Sequence, residues 1–316
     1  MKLFVQIPCL NEEETLALVL DSIPKQIKGI SSIETLIIDD SSHDKTIEVT
    51  KKHGVTHFVK HRRNMGLARS FRDGIDYALL HGADIVVNTD GDNQYPQAMI
   101  AELVQPILDG SADIVIGDRQ TQTIAHFSPF KKRMQRFGSW VVNKAAGTNL
   151  PDAASGFRAY SHESLYRLNI VTQFSYCMET IIQAGNKRLA IASVPITTNK
   201  KTRESRLFKN IWQHMAKSGQ AIMRSYFMFN PHAIFASLGI VLLILSAFPF
   251  IRFFYFWLSE DGTGHIQSLI FGSVMFTGSL FSFALLVIAD LQKTNRILLE
   301  EQLEIQKRIR YDSNRS

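Results

Sequence analysis

The chain has 316 residues, 45% hydrophobic and 20% charged, with a formal net charge of +6 and two cysteines. That balance argues against a disordered protein or a disulfide-stapled scaffold and leaves room for one large or two smaller globular domains. The basic excess suits a phosphate-rich partner: nucleic acid, anionic lipid or a phosphorylated substrate.

Leu3 to Ile7 reads as a short apolar strand with no signal-peptide pattern before it. It runs into Pro8-Cys9-Leu10-Asn11-Glu12-Glu13-Glu14, where Asn11 reads as a helix N-cap and the acidic turn complements the helix dipole. Thr35 to Asp39 is a second strand, ending in Asp39-Asp40-Ser41-Ser42-His43-Asp44, with a helix from about Lys45. His57 to Lys60 is a third, and Asn64-Met65-Gly66-Leu67-Ala68-Arg69 opens a helix reaching about His81. Ile85, Val86 and Val87 form a buried fourth strand that delivers Asp90-Gly91-Asp92-Asn93-Gln94. Pro96 falls in the first turn of the next helix, and Asp113 to Gly117 is a fifth strand. Cys9 and Cys177 read as small buried hydrophobes.

Short apolar strands alternating with helices predict a βαβ sheet with right-handed crossovers and ligands at the carboxyl ends of its strands. The first strand lacks G-x-G-x-x-G, and no G-x-x-x-x-G-K-[ST] occurs, which excludes a dinucleotide fold of that type and a P-loop. Asp90 and Asp92, with a glycine between, suit Mg²⁺ or Mn²⁺ shared with substrate phosphates; taken alone, the same triplet also fits a solvated acidic turn.

From residue 119 the chain turns basic. Arg119, the Lys131-Lys132-Arg133 run with Arg136 on a helix to about Ala146, and Arg158 after Asp152-Ala153-Ala154-Ser155-Gly156-Phe157 can together frame an anion pocket; the helix run by itself is more often a solvated face. Glu179 reads as structural, and Leu189 to Ile196 as the last strand before a basic loop, Thr198 to Arg206. Leu207, Ile211, Met215, Ile222 and Tyr226, interspersed with Lys209, Lys217 and Arg224, predict an amphipathic helix on an anionic membrane surface. Ala233 to Ile251 and Ile266 to Ala289 carry no basic and no acidic residue, and each is close to the roughly 20 residues that cross a bilayer. The short loop between them is acidic while basic residues flank the outer ends, so both termini are expected in the cytoplasm, with Arg252 as the exception to the charge rule. Asn295 to Arg310 reads as a charged cytoplasmic helix and a candidate oligomerisation element.

These motifs, in this order, resemble the GT-A glycosyltransferases of family 2, and the whole chain is similar to the polyprenyl-phosphate glycosyltransferases, the group of dolichyl-phosphate mannose synthases and bactoprenol (GtrB-type) glucosyltransferases. The likeness rests on Pro8 to Glu12, Asp39 to Asp44, Asn64 to Leu67, Asp90 to Gln94 and Ser155 to Arg158, and covers about residues 1 to 210. It implies a GT-A catalytic domain over residues 1–206, a juxtamembrane helix over 207–230, two spans within 231–292 and a cytoplasmic tail over 293–316. It implies an inverting membrane-bound hexosyltransferase, moving glucose by preference from UDP-glucose, or mannose from GDP-mannose, to a polyprenyl phosphate. Pro8, Asn11, Glu12 and Asp40 are then expected to line the nucleotide pocket, and Asp90, Asp92 and Gln94 to hold Mg²⁺ or Mn²⁺. Arg119, Arg133, Ser155 and Arg158 are expected at the acceptor phosphate. Asp152 is expected near the acceptor, orienting rather than taking a proton. Lys200 to Arg206 stands where the family carries an R-x-x-G-x-S-K loop over the donor, keeping charge at Lys200 and Arg206 and replacing the glycine with Arg203. Two other readings, a processive polysaccharide synthase and a silent membrane scaffold, meet the missing Q-x-x-R-W and the intact Asp90, Asp92 and Arg158 respectively. Nucleic acid is not an expected partner, since the basic residues gather at a phosphate pocket and at membrane flanks.

Overall fold

The computed structural model describes residues 1–121, 129–171, 176–199, 219–220, 223, 227, 231–259 and 265–312. They divide into two compact units, one of residues 1–225 with 301–316 and one of residues 226–300.

The first unit is built on seven strands: β1 (Lys2–Cys9), β2 (Ser32–Asp39), β3 (His57–Lys60), β4 (Ile85–Asn88), β5 (Ile114–Asp118), β6 (Arg158–Ser161) and β7 (Ile191–Pro195). Their order is β3-β2-β1-β4-β6-β5-β7. All neighbours are parallel except β6, which lies antiparallel between β4 and β5, with Asn88 opposite Arg158 and Arg158 opposite Ile116. The chain therefore starts β6 at the same sheet edge where β1, β2, β4 and β5 end. The central strands are apolar on both faces because helices cover both. The helices described wholly within this unit are α1 (Leu16–Ser22), α2 (Thr46–Lys52), α3 (Leu67–Leu80), α4 (Ile100–Leu108), α5 (Pro129–Ala146), α6 (His162–Arg167) and α7 (Tyr176–Asn186). Helix α3 buries Ala68, Phe71, Ile75, Ala78 and Leu79, and α4 buries Ile100, Leu103, Val104 and Ile107, each at the spacing of one helical face. A three-ten turn, Gln97–Met99, separates Pro96 from α4.

One expectation is corrected here. Asn11 is not a helix cap: α1 begins at Leu16, and Asn11 sits in a turn at φ 57°. Asparagine tolerates that left-handed conformation, because its short polar side chain hydrogen-bonds locally. The antiparallel strand β6 has no counterpart in the sequence reading.

The second unit is a pair of antiparallel segments of α8 (Pro231–Ser259) and α9 (Ile266–Asp312). Ser279 and Ser282 donate to the carbonyls of Gly239 and Phe235, both at 2.8 Å, and His232 meets Asp290 at 2.9 Å. Small residues and hydroxyls at the seam let apolar helices approach closely. Both helices are long and apolar enough to cross a bilayer, and only 17% and 11% of their most apolar windows is buried within the protein. Their exposed faces carry Phe248, Ile251, Phe281 and Val287, an arrangement foreign to the core helix of a soluble protein.

Candidate active site

The five sequence motifs converge at the carboxyl edge of the sheet, each tied to at least one other. The loop after β1 joins the loop after β2. Asn11 N–H donates to Ser42 Oγ (2.9 Å), its Oδ1 accepts from His43 N–H (2.8 Å), and Glu12 N–H donates to Thr46 Oγ1 (2.8 Å). The second loop holds the third. Asp40 accepts the N–H groups of Met65 (2.7 Å) and Gly66 (2.9 Å), and meets His61 Nδ1 at 2.7 Å. His61 Nε2 lies 3.2 Å from Asp73, so one imidazole bridges two carboxylates. Asp40 is thus 5% exposed and occupied in fixing this loop, while Pro8 stands half-buried at the end of β1.

The first loop also reaches the acidic turn. Thr15 Oγ1 donates to Gly91 O at 2.7 Å, and a Cβ placed on Gly91 would stand 3.1 Å from Glu12 Cγ. A residue larger than glycine would press on Glu12 here. Asp92 accepts both the backbone N–H (3.1 Å) and Nε2 (2.7 Å) of Gln94, so Gln94 orients this carboxylate. Asn199 N–H donates to Gln94 O (2.9 Å), which ties the residue just before Lys200 to the acidic turn. Lys200, Arg206 and the amphipathic stretch after them, apart from isolated positions, lie outside the described residues.

A buried polar network joins the acidic turn to Ser155-Gly156-Phe157-Arg158. Gln6 Nε2 donates to Asn88 Oδ1 (3.0 Å); Asn88 Nδ2 donates to Gly156 O (3.0 Å) and to Tyr176 Oη (2.7 Å). Gly156 N–H donates to Tyr95 Oη (3.0 Å). A Cβ on Gly156 would lie 3.6 Å from Asp90 Oδ2, so Asp90 borders this loop directly. Burial pushes the Tyr95 and Tyr176 hydroxyls up from their ordinary values, and the nearby Asp90 carboxylate adds to this; both phenols are neutral hydrogen-bonding groups. Burial likewise raises the Cys9 and Cys177 thiols, which are free and inert.

Arg119 and Asp152 form a bidentate pair, Nε to Oδ2 at 2.6 Å and Nη2 to Oδ1 at 2.9 Å. Burial opposes ionisation of Asp152, but the guanidinium and the N–H groups of Arg119 and Ala154 outweigh it and leave the carboxyl below its ordinary range. Arg158 departs from the expected phosphate contact. It is wholly buried, and its guanidinium donates to the carbonyls of Ser155 (2.7 Å), Cys177 (2.8 Å) and Ala153 (3.0 Å) and to Thr180 Oγ1 (2.8 Å). It clamps the loop that carries Ser155. Ser155 Oγ is buried, and among the described residues it has no hydrogen-bond partner. Arg133 is exposed on α5. Glu179 accepts from Val171 N–H at 3.1 and 3.2 Å, a structural role as expected.

Sequence reasoning passed over Gln6, Asn88, Tyr95, Tyr176 and His61. One signal for the first two was available: each is an amide in an otherwise apolar strand, and the two face each other in register across β1 and β4.

The donor set at Asp90 and Asp92 fits a hard divalent cation. Among the described residues no three His, Cys, Asp or Glu side chains gather closely enough to cage an ion alone. An ion held here would need further ligands from outside these side chains, as Mg²⁺ commonly takes from water and substrate phosphates.

A doubly wound sheet with an antiparallel strand between β4 and β5, and an acidic turn at its switch point, defines a GT-A nucleotide-sugar fold. Residues 4–168 match the model of glycosyl transferase family 2, and the chain belongs to that family of glycosyltransferases. It is 28% identical to a UDP-N-acetylglucosamine–dolichyl-phosphate N-acetylglucosaminyltransferase of Methanococcus voltae over 218 residues, 62% of this chain and 85% of the relative. A polyprenol monophosphomannose synthase of Mycolicibacterium smegmatis is 24% identical over 61% of this chain and 76% of its own length. In fold, the chain is similar to glucosyl-3-phosphoglycerate synthase of Mycobacterium tuberculosis, solved with Mn²⁺, UDP-glucose and phosphoglyceric acid, with TM-score 0.52 and 22% identity over 72% of this chain and 78% of that one.

Proposed function

We propose that the protein transfers a hexose from a nucleotide sugar to a polyprenyl phosphate, inverting the anomeric centre, on the cytoplasmic face of a membrane. The observation that carries this reading is that one chain holds an Asp90–Asp92 turn bordering the Gly156 loop, a buried Arg119–Asp152 pair and two helices suited to a bilayer. The names of the relatives, which state dolichyl-phosphate and polyprenol acceptors, support the same acceptor class. Glucose from UDP-glucose is the favoured donor and GDP-mannose the second. The acidic inter-helix loop and the flanking Lys293 and Arg296 support two spans with both termini in the cytoplasm.

A phosphate oxygen of the lipid attacks the anomeric carbon opposite the diphosphate. The bond from that carbon to the diphosphate oxygen breaks, and its electron pair leaves with the nucleoside diphosphate. Asp90 and Asp92, the second oriented by Gln94, would hold Mg²⁺ or Mn²⁺, which when bound would supply neutralisation of the charge gathering on that leaving group. The acceptor is already anionic, so it needs positioning more than deprotonation. Arg119, held by Asp152, and Arg133 supply that positioning together with Ser155, while Arg158 acts by fixing the Ser155 loop. Pro8, Asn11, Glu12 and Asp40 shape the nucleotide side, and the positive charges of Lys200 and Arg206, outside the described residues, serve the donor diphosphate by resemblance to the family's loop.

Membranes containing the protein, given polyprenyl phosphate and a panel of labelled nucleotide sugars, test this directly. Label in a butanol-extractable lipid, lost on chelation, is the expected result. Insoluble polymer would point to a processive synthase, and no transfer from any donor to a silent scaffold.

A further inference from the structure

The acidic turn and the Ser155 loop meet at one peptide group. The Ser155–Gly156 peptide is planar, so whatever holds its two ends sets the direction in which Ser155 projects. Arg158 Nε donates to its carbonyl at 2.7 Å, and its N–H donates to Tyr95 Oη at 3.0 Å. The next carbonyl, that of Gly156, accepts from Asn88 Nδ2 at 3.0 Å and from Tyr176 Oη at 3.3 Å. Arg158, Asn88 and Tyr176 belong to β6, β4 and α7, whereas Tyr95 directly follows Gln94 of the acidic turn.

Tyr95 is held on every side. It is 5% exposed, and its ring lies on that of Phe157, with centroids 5.2 Å and planes 13° apart. Its carbonyl accepts from Gln97 Nε2 at 3.1 Å and from Asn199 Nδ2 at 3.4 Å. After burial itself, the charges its hydroxyl feels most are the Arg119 guanidinium and the Asp90 carboxylate. It therefore neighbours both the turn suited to a cation and the Arg119–Asp152 pair. Gly156 makes the contact direct, since a Cβ there would lie 3.5 Å from Tyr95 Oη and 3.6 Å from Asp90 Oδ2. Ser155 Oγ is buried and has no hydrogen-bond partner among the described residues, which leaves a hydroxyl for a ligand.

We infer that Tyr95 is a positioning residue that couples the two substrates. Filling of the Asp90–Asp92 turn is passed through the Tyr95 hydroxyl to the Ser155–Gly156 peptide, and that peptide sets Ser155 for the lipid phosphate. The inference rests on the transfer reading above and adds to it a linkage between donor and acceptor, reciprocal by thermodynamic necessity. A merely structural Tyr95 would hold the loop equally with the turn empty or filled, and would leave the linkage untouched.

The test is a ratio of two affinities in the detergent-purified full chain. Farnesyl phosphate, a short isoprenoid phosphate, is titrated by thermophoresis alone and then with saturating Mn²⁺ and a nucleoside diphosphate, UDP and GDP in turn. The parent should bind it at least about fivefold more tightly with the metal and one nucleotide present, the lower end of ordinary coupling. Tyr95→Phe removes one oxygen and leaves the ring on Phe157. One hydrogen bond is worth roughly two- to tenfold in an equilibrium constant, and the ratio should fall by about that factor. Tyr176→Phe takes a hydroxyl from the same loop without touching the acidic turn, so it should lower the thermal transition and keep the ratio. A ratio of one in the parent overturns the inference whatever the variants do, and leaves the transfer reading standing. A parent-like ratio in Tyr95→Phe overturns it as well, and an equal loss in both variants overturns it in favour of loop rigidity. No binding of farnesyl phosphate under any of these conditions sinks the acceptor reading on which it rests.

Discussion

Asp90 and Asp92 stand one residue apart, yet their surroundings differ. Asp90 borders Gly156 and the buried phenols, whereas Asp92 is oriented by Gln94. Replacing either by Asn keeps size and removes charge, so Asp90→Asn and Asp92→Asn should each abolish sugar transfer while the thermal transition of the purified protein stays within a few degrees of the parent. Full transfer activity in either variant would remove the metal assignment. Arg158 is a different kind of residue, since its worth lies in the fold. Arg158→Met strands the carbonyls of Ser155 and Ala153 in a dry interior, at about 1–3 kcal/mol for each buried group left unsatisfied, while the Cys177 carbonyl keeps its bond from Thr180 Oγ1. The loss, on the order of 2–6 kcal/mol for the two, should appear in denaturant unfolding. The Arg119–Asp152 pair adds a pH signature. The folded carboxyl titrates below its ordinary value of 3.8, so the unfolded chain binds the proton first as acid is added. The pair's stabilisation is therefore complete above that value and is lost as pH falls through the lower, folded one. Asp152→Asn should flatten this acid limb of unfolding free energy against pH; an unchanged limb would mean the pair contributes nothing to it.

Helices α5 and α7 meet at one close approach. Gly185→Ala must push α5 off its seat, because the atom in the way is the backbone oxygen of Ala146 and no side-chain rotation relieves it. Overpacking of this kind costs about 1–3 kcal/mol. Since α5 carries Arg133, the variant should raise the KM for lipid acceptor while leaving nucleotide-sugar binding near the parent's; equal effects on both would disconnect α5 from the acceptor. Elements of this sort differ in how far local sequence reveals them. Strand β3 is legible residue for residue, because His57-Phe58-Val59-Lys60 is bounded by turn residues and belongs to no helical period. Strand β6 is not, since Arg158-Ala159-Tyr160-Ser161 is strand only by lying between β4 and β5. The site divides the same way. Its five motifs are legible because each is a local loop with its own chemistry. The network behind them is not, since the Asn88–Tyr176 bond joins residues 88 apart in the chain. Asn11 illustrates a third case, where one residue type serves two local structures and the tertiary contacts with Ser42 and His43 choose the turn.

At the scale of the whole molecule, the last turns of α9 are part of the first compact unit. This tail, a candidate oligomerisation element by sequence, also packs on the catalytic unit of its own chain. Tyr311 is 2% exposed, its hydroxyl donates to Asp76 on α3 at 3.0 Å, and its ring stacks with Tyr166 of α6 at 6.1 Å. Tyr166 Oη in turn donates to Asp312 at 2.7 Å, and Lys307 Nζ reaches the Leu168 carbonyl at 2.6 Å. Arg308 makes the more conspicuous contact, a fork onto Glu163 at 3.0 and 2.6 Å. Magnitudes reverse that impression. The Arg308 and Glu163 side chains are 36% and 48% exposed, where an ion pair contributes about 0–1 kcal/mol and is screened by salt. Truncating a buried aromatic ring costs about 3–5 kcal/mol, because the transfer energy is lost and a cavity is left. Tyr311→Ala should therefore lower the stability of the detergent-purified full chain several times more than Arg308→Ala. Added salt should erase the smaller effect and leave the larger one. Thermal unfolding of the two variants at low and high ionic strength measures both differences; a larger, salt-sensitive loss from Arg308→Ala would make the docking electrostatic instead of packed.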